Sequence, residues 1–139
     1  LLAKYYINNK KLFYKSLKYT KYLSIISGLI ILVITNFLSQ FIISFISGNS
    51  YKESSEILKI ISFAIPFLFI NNVFYYEYVI KNKIFQINFV LFTALLINLI
   101  LNIIFLPIYN IIAASYITII TEFYILVLYL FINISKSND

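Results

Sequence analysis

Cysteine and histidine are both absent from the 139 residues of this chain. Their absence excludes disulfides, thiolate chemistry, histidine-ligated metals and catalytic pairs of serine or cysteine with histidine. Aspartate occurs only at Asp139, so acid–base chemistry would fall on four glutamates. We therefore expect a protein that is not an enzyme and that needs neither a metal nor another cofactor.

Charged residues are scarce, at 12% of the chain, whereas 62% of the residues are hydrophobic. This apolar share exceeds what a soluble domain needs to fill its core. The apolar residues fall in long blocks, and blocks of roughly 20 residues span a hydrocarbon layer about 30 Å thick. The sequence therefore predicts an all-α integral membrane protein. The net charge of +6 is interpreted as a signal of membrane topology, and nucleic acid is not an expected partner.

Four hydrophobic segments are long enough to cross the bilayer as helices. They cover residues 23–46, 57–80, 84–106 and 111–132. The connections between them are short, which favours antiparallel neighbours in a helical bundle. The second segment contains Pro66, where we expect a kink because proline removes a backbone hydrogen bond and crowds the preceding turn.

Residues 1–22 contain six lysines among leucine, phenylalanine and tyrosine. Lys11, Lys15 and Lys18 follow the spacing i, i+4, i+7, which predicts a basic helix on the membrane surface. Anionic headgroups would attract each lysine by about 1 kcal/mol. The alternative is a solvated linker whose lysines only set the topology.

Lysine also predicts the orientation of the chain. The N-terminal segment, the connection at 81–83 and the tail at 133–139 hold nine lysines together, whereas the opposite side holds only Lys52 and Lys59. By the positive-inside rule both ends should be cytoplasmic, in a cell inner or plasma membrane. Because the chain begins at Leu1 in the middle of a pattern, we expect further sequence upstream.

Hydrogen-bonding side chains lie near the middle of every predicted span. They are Asn36 in the first, Asn71 and Asn72 in the second, Asn98 in the third and Glu122 in the fourth. Polar groups in hydrocarbon are costly unless they are paired or hydrated, so a shared depth predicts a buried interface or an aqueous cavity. Transporters place substrate sites at this depth.

Glu122 is the most informative single residue. It follows Asn110 by 12 residues, or about 18 Å along a helix, which places it near mid-bilayer. Ser115, Thr118 and Glu122 form one polar stripe that should face away from lipid. Glu122 is interpreted either as a proton-coupling or substrate-pathway carboxylate, or as a neutral carboxyl that hydrogen-bonds neighbouring helices.

Other polar residues have simpler explanations. Glu77 precedes Lys81 by one helical turn near the cytoplasmic end of its span, which predicts an i, i+4 ion pair. Asn98 and Asn102 share a helix face, and such amides either join helices or line a pathway.

The segment from Leu101 to Glu122, LNIIFLPIYNIIAASYITIITE, resembles the last two helices of a known group. These are the polysaccharide flippases, of the O-antigen or capsule repeat-unit type, in the multidrug, oligosaccharidyl-lipid and polysaccharide exporter superfamily. The matching residues are Asn102, Pro107, Tyr109, Ala114, Thr118, Thr121 and Glu122. Asn110 and Ala113 stand where glycines are common, although asparagine tolerates a left-handed conformation. Upstream, residues 48–54 are similar to the outward loop of this group, and residues 64–67 with Asn71 are similar to the helix that follows that loop.

The resemblance implies that the chain is the last four spans of a roughly twelve-span transporter, and most of its second lobe. The implied partners are membrane lipids, a polyprenyl-diphosphate-linked oligosaccharide and an N-terminal lobe of the same chain. The implied activity is flipping of the lipid-linked sugar to the outer leaflet by alternating access. A drug exporter or lipid II flippase of the same superfamily remains an alternative, as does a four-helix scaffold or accessory subunit without transport activity.

Overall fold

The computed structural model describes residues 2–47 and 52–135, which are almost entirely helical and contain no strand in those ranges. The helices are α1 (Leu2–Asn8), α2 (Lys10–Ser47), α3 (Lys52–Ser62), α4 (Ile65–Ile80) and α5 (Ile84–Ser135). The prediction of an all-α fold with long apolar helices is confirmed. Residues 48–51 of the loop predicted between the first two spans, and residues 136–139 of the predicted tail, lie outside the described residues.

The basic N-terminal segment is helical and continues into the first apolar segment. Asn9 separates α1 from α2 and caps α2, because its side-chain oxygen accepts a hydrogen bond from the Leu12 amide at 3.1 Å. From there α2 runs for 38 residues without a break, which is roughly 57 Å at the helical rise. Residues 10–22 therefore form one continuous helix with residues 23–46.

The kink predicted at Pro66 is confirmed. The axes of residues 54–62 and 65–80 differ by 44°, and the break lies at Phe63 and Ala64. Pro66 occupies the first turn of α4, where its missing amide hydrogen costs nothing. Helix α2 crosses this break closely, since a Cβ atom on Gly28 would stand 2.7 Å from the Pro66 Cα.

A tight turn joins α4 to α5 where the sequence places a connection. Asn82 has a φ of 55°, and the amides of Asn82 and Lys83 donate to the carbonyls of Val79 and Tyr78. These two bonds form a Schellman motif, which satisfies the last carbonyls of α4 and reverses the chain.

Helix α5 is divided at Asn110, whose φ of 54° and ψ of −148° are not helical. We call residues 84–109 α5N and residues 111–135 α5C. The two arms fold back on each other as a hairpin, as the bond between Asn98 and Thr121 shows. The sequence predicted a turn from Pro107 onward, but helical structure continues to Tyr109. The chain reverses at Asn110, whose positive φ proline cannot adopt and whose φ and ψ together lie in a region that glycine favours.

The main hydrophobic core lies between α4 and the two arms of α5. Its buried members are Ile70, Phe74, Tyr78, Ile87, Val90, Ala94, Ile125 and Tyr129. A smaller cluster of Phe13, Leu17 and Val73 joins α2 to α4. Helix α2 also packs against α3, and α3 contacts α5, so the helices form one bundle.

Candidate functional site

Hydrogen bonds between side chains cross the bundle at one level, next to the main core. Asn71 of α4 donates through Nδ2 to both the Oε2 atom and the carbonyl oxygen of Glu122 on α5C, each at 2.9 Å. On the other side of α5C, Asn98 of α5N donates through Nδ2 to Thr121 Oγ1 at 3.1 Å. Asn102 in turn donates to the side-chain and backbone oxygens of Asn98. We call these five residues the polar layer.

The order of the polar layer follows from helix geometry. The side chains of consecutive residues on a helix point about 100° apart, so Thr121 and Glu122 contact different neighbouring helices. Glu122 is directed to α4 and Thr121 to α5N, which makes α5C the central helix of the layer. Thr121 was not among the residues predicted for a pathway, although it matched the family pattern beside Glu122.

The polar layer contains both buried and half-buried residues. Asn71 is only 7% exposed, and its Oδ1 atom is buried without a hydrogen-bond partner among the described residues. Glu122, Asn98 and Asn102 are half-buried. A buried acceptor without a partner is costly and calls for an explanation. The layer therefore joins three helical segments and still presents polar atoms at its margin.

Asn36 lies away from this layer. Its Nδ2 atom is 3.3 Å from both the Lys59 carbonyl oxygen and Ser62 Oγ, at the end of α3. Ser62 precedes Asn71 by nine residues and lies on the other side of the 44° break. The depth that the sequence predicted for Asn36 assumed a span beginning at residue 23. The register of α2 against the kinked α3 and α4 places it beside the break instead.

Two other predicted residues donate hydrogen bonds within their own helices, and a third is buried. Asn72 is exposed and donates to the Leu68 carbonyl oxygen. Thr118 donates to the Ala114 carbonyl oxygen, one turn before Glu122. Ser115 is buried about one turn before Thr118 on α5C. The stripe of Ser115, Thr118 and Glu122 therefore exists on the helix, but only Glu122 has a side-chain bond to another helix that the structure records.

A second charged group lies near the turn between α4 and α5. Glu77 pairs with Lys81, as the sequence predicted, and its Oε2 atom also lies 2.6 Å from the Nζ atom of Lys21 on α2. The Glu77 side chain is only 3% exposed. The partnership with Lys21 was missed because the two residues are far apart in sequence, and no local spacing signals it.

The described residues contain no group of three or more histidine, cysteine, aspartate or glutamate side chains suited to a metal. The arrangement instead offers amide donors, a hydroxyl and one carboxylate between apolar helices. Such groups can bind polar ligands through hydrogen bonds.

Comparison with known families agrees with this membrane bundle. The MatE family model matches residues 4–108, which is well over half of the chain. The chain belongs to the MatE family. MatE is part of the superfamily of multidrug, oligosaccharidyl-lipid and polysaccharide flippases, so the superfamily implied by the sequence resemblance is confirmed. No curated protein and no solved structure matches the chain.

Membership of the MatE family makes this chain part of a multi-pass membrane transporter. The matched range includes α1 to α4 and almost all of α5N, with Asn71, Asn98 and Asn102 of the polar layer. Thr121 and Glu122 lie beyond it, so their assignment to the site depends on the hydrogen bonds of the structure.

Proposed function

We propose that this MatE chain is part of a flippase that moves lipid-linked oligosaccharide repeat units across the membrane by alternating access. The observation that carries the proposal is the polar layer, which places amides and a carboxylate between otherwise apolar helices. Sugar hydroxyls both donate and accept hydrogen bonds, so they suit a wall that offers both functions. Polar residues within membrane helices generally mark substrate or ion pathways.

The half-buried side chains of the polar layer support a role in binding the transported molecule. Glu122 has its Oε2 atom and its backbone carbonyl engaged by Asn71, and the side chain is still half-buried rather than enclosed. Asn98 and Asn102 on α5N are half-buried in the same way. In the proposed mechanism these side chains exchange hydrogen bonds with sugar hydroxyls as the lobe turns against its partner lobe.

The distribution of lysine supports an orientation with both ends cytoplasmic. The N-terminal helix and the turn after α4 come together, since Lys21 and Lys81 share Glu77. Lys59 lies away from this lysine-rich end, on α3, where its carbonyl oxygen accepts a hydrogen bond from Asn36 of α2. Under the positive-inside rule the lysine-rich end faces the cytoplasm, in the inner or plasma membrane.

The proposal is tested by export of a lipid-linked oligosaccharide in cells that carry the full-length protein with Glu122→Gln or Glu122→Ala. Glutamine keeps an acceptor for Asn71, so we expect normal folding with export reduced roughly tenfold or more, the effect of losing a charged hydrogen-bond partner. Alanine should reduce both export and thermal stability. The matched control is Asn72→Ala, because Asn72 is exposed and bonds only within α4.

Unchanged export in both Glu122 variants would remove this carboxylate from the mechanism. Export of drug-like cations without any movement of lipid-linked sugar would replace the proposed cargo with that of a drug exporter. Both outcomes would leave the helical bundle and the family membership intact.

The pairing within the polar layer favours a second candidate, a membrane scaffold or accessory subunit without its own transport path. Asn71 with Glu122, and Asn98 with Thr121, are the kind of contacts that hold membrane helices together. In that case the Glu122 variants would lower thermal stability, and reconstituted protein would move no lipid-linked sugar.

A further inference from the structure

A cavity of about 630 Å³ lies where α2, the end of α4 and both ends of α5 meet. Its lining is polar and basic on one side and aromatic or aliphatic on the other. The lining residues are Tyr14, Leu17, Lys18, Lys21, Tyr22, Ile25, Glu77, Lys81, Lys83 and Asn133. We propose that this lysine cavity binds a phosphate group. The inference does not depend on which cargo the transporter carries, because the cavity is separate from the polar layer.

The charge of the lysine cavity favours an anion. Among the residues that the structure describes, four lysines line it against one carboxylate, which is an excess of three positive charges. Lys21 and Lys81 share Glu77. Lys18 and Lys83 line the cavity beside them, and Lys83 Nζ lies 5.4 Å from the centre of the Tyr78 ring. Ammonium groups on flexible stems are common ligands of phosphate, and two or more of them can reach different oxygens of one group.

Part of the lysine cavity is held in place before any ligand binds. Glu77 anchors Lys21 and Lys81, whose side chains are only 24% and 10% exposed. Lys21 Nζ also lies 3.8 Å from the centre of the Phe74 ring, and Lys81 Nζ lies 5.1 Å from that of Tyr14. A ligand that meets preplaced cations loses less conformational entropy on binding.

The other wall indicates that the phosphate belongs to an amphiphile. Tyr22 and Ile25 are exposed on α2, on the side of the cavity that continues into the apolar part of that helix. Tyrosine is typical of the interface between headgroups and acyl chains. A phospholipid could place its phosphate among the lysines and its chains along α2, and the volume lies within the range of ordinary ligand sites.

The test is native mass spectrometry of the purified full-length protein in a neutral detergent. The probes are dioleoylphosphatidic acid and dioleoylglycerol, which share their acyl chains and differ in the phosphate. We expect clear binding of the phosphatidic acid and much weaker binding of the diacylglycerol. The double variant Lys18→Gln with Lys83→Gln should weaken phosphatidic acid binding by roughly thirtyfold, since each lysine near an anionic lipid contributes about 1 kcal/mol and about 1.4 kcal/mol is a factor of ten.

Two further variants separate a built site from general charge attraction. Lys10→Gln with Lys11→Gln removes the same charge from α2 outside the cavity, and should change binding less than about twofold. Lys18→Arg with Lys83→Arg keeps the charge and should keep binding. Equal binding of the two lipids, or an equal loss in the Lys10 and Lys11 control, would overturn the proposal.

A competition arm identifies the source of the phosphate. Displacement of phosphatidic acid by inorganic phosphate, but not by chloride at equal ionic strength, would show that the cavity accepts the free anion as well. Retention of the lipid under both salts would assign the cavity to a membrane lipid. If the glutamine variant fails to fold, as judged by circular dichroism, the comparison of the two lipids on the unaltered protein still decides the question.

Discussion

At the scale of single residues, Asn71 and Asn72 show how one step along a helix changes the role of the same side chain. Asn71 is buried and donates twice to Glu122 on another helix. Asn72 is exposed and donates to the Leu68 carbonyl oxygen of its own helix. Because the two neighbours differ in environment and not in chemistry, they form a matched pair for mutation.

We expect Asn71→Ala to lower the free energy of unfolding by about 1–2 kcal/mol, since it removes an interhelical hydrogen bond and leaves Glu122 without its partner. Asn72→Ala should change it by less than about 0.5 kcal/mol. Thermal unfolding in detergent, followed by circular dichroism, measures both. Equal losses in the two variants would show that the bond between Asn71 and Glu122 contributes nothing to the fold.

Asn110 is a residue that the family pattern marked as unusual, although the pattern did not show that the chain reverses there. The family resemblance marked it as standing where glycine is common, and its φ of 54° and ψ of −148° belong to a region that glycine favours. That single conformation turns one continuous helical element into the hairpin of α5N and α5C. The polar layer depends on this reversal, because Asn98 and Thr121 lie on opposite arms.

At the scale of elements, the crossing of α2 over the break between α3 and α4 depends on one glycine. A Cβ atom at Gly28 would meet the Pro66 Cα at 2.7 Å and the Pro66 nitrogen at 3.4 Å. Both contacts are backbone atoms, which cannot move aside as a flexible side chain can. Small residues at membrane helix crossings commonly permit this closeness.

Gly28→Ala should therefore destabilise the protein by about 1–3 kcal/mol, the usual cost of overpacking. The sign of the change in stability is informative, because replacing glycine by alanine within a helix otherwise stabilises a protein by up to about 1 kcal/mol. Ser27→Ala on the adjacent position of α2 serves as the control and should be close to neutral. Thermal unfolding checks both variants, and a stabilised Gly28→Ala protein would contradict the close crossing.

The helices also show which features local sequence patterns predict and which they do not. The kink at Pro66 and the pair of Glu77 with Lys81 were predicted, because both arise from residues within one or two turns. The continuity of α2 through residue 22 was not predicted. A change in composition from basic to apolar marks where the environment of a helix changes, and it need not interrupt backbone hydrogen bonding.

At the scale of the whole molecule, Glu77 ties two helices together and forms one side of the lysine cavity. Its buried carboxylate is shared by Lys21 from α2 and Lys81 from the end of α4. Removing one partner of a buried ion pair is more costly than removing an exposed charge, because the remaining charge stays desolvated.

A double-mutant cycle of Glu77→Gln and Lys21→Gln should give a coupling free energy of about 1–3 kcal/mol. Glu56→Gln, on an exposed position of α3, should change stability by less than about 0.5 kcal/mol. Thermal unfolding of the four proteins of the cycle and of the control measures these values. Strict additivity of the two single variants would show that the contact between Lys21 and Glu77 does not stabilise the bundle.

The sequence by itself determined that this is a membrane protein and that its fold is all-α. It also identified the polar residues whose burial in a membrane is costly. Those properties follow from composition and from spacing along one helix, which act locally. Only the tertiary structure decided that Asn71 meets Glu122, that Asn36 lies elsewhere and that Lys21 reaches Glu77. Such contacts depend on how helices cross and in which register, and that is set by close packing at positions such as Gly28 and Pro66, far apart in sequence.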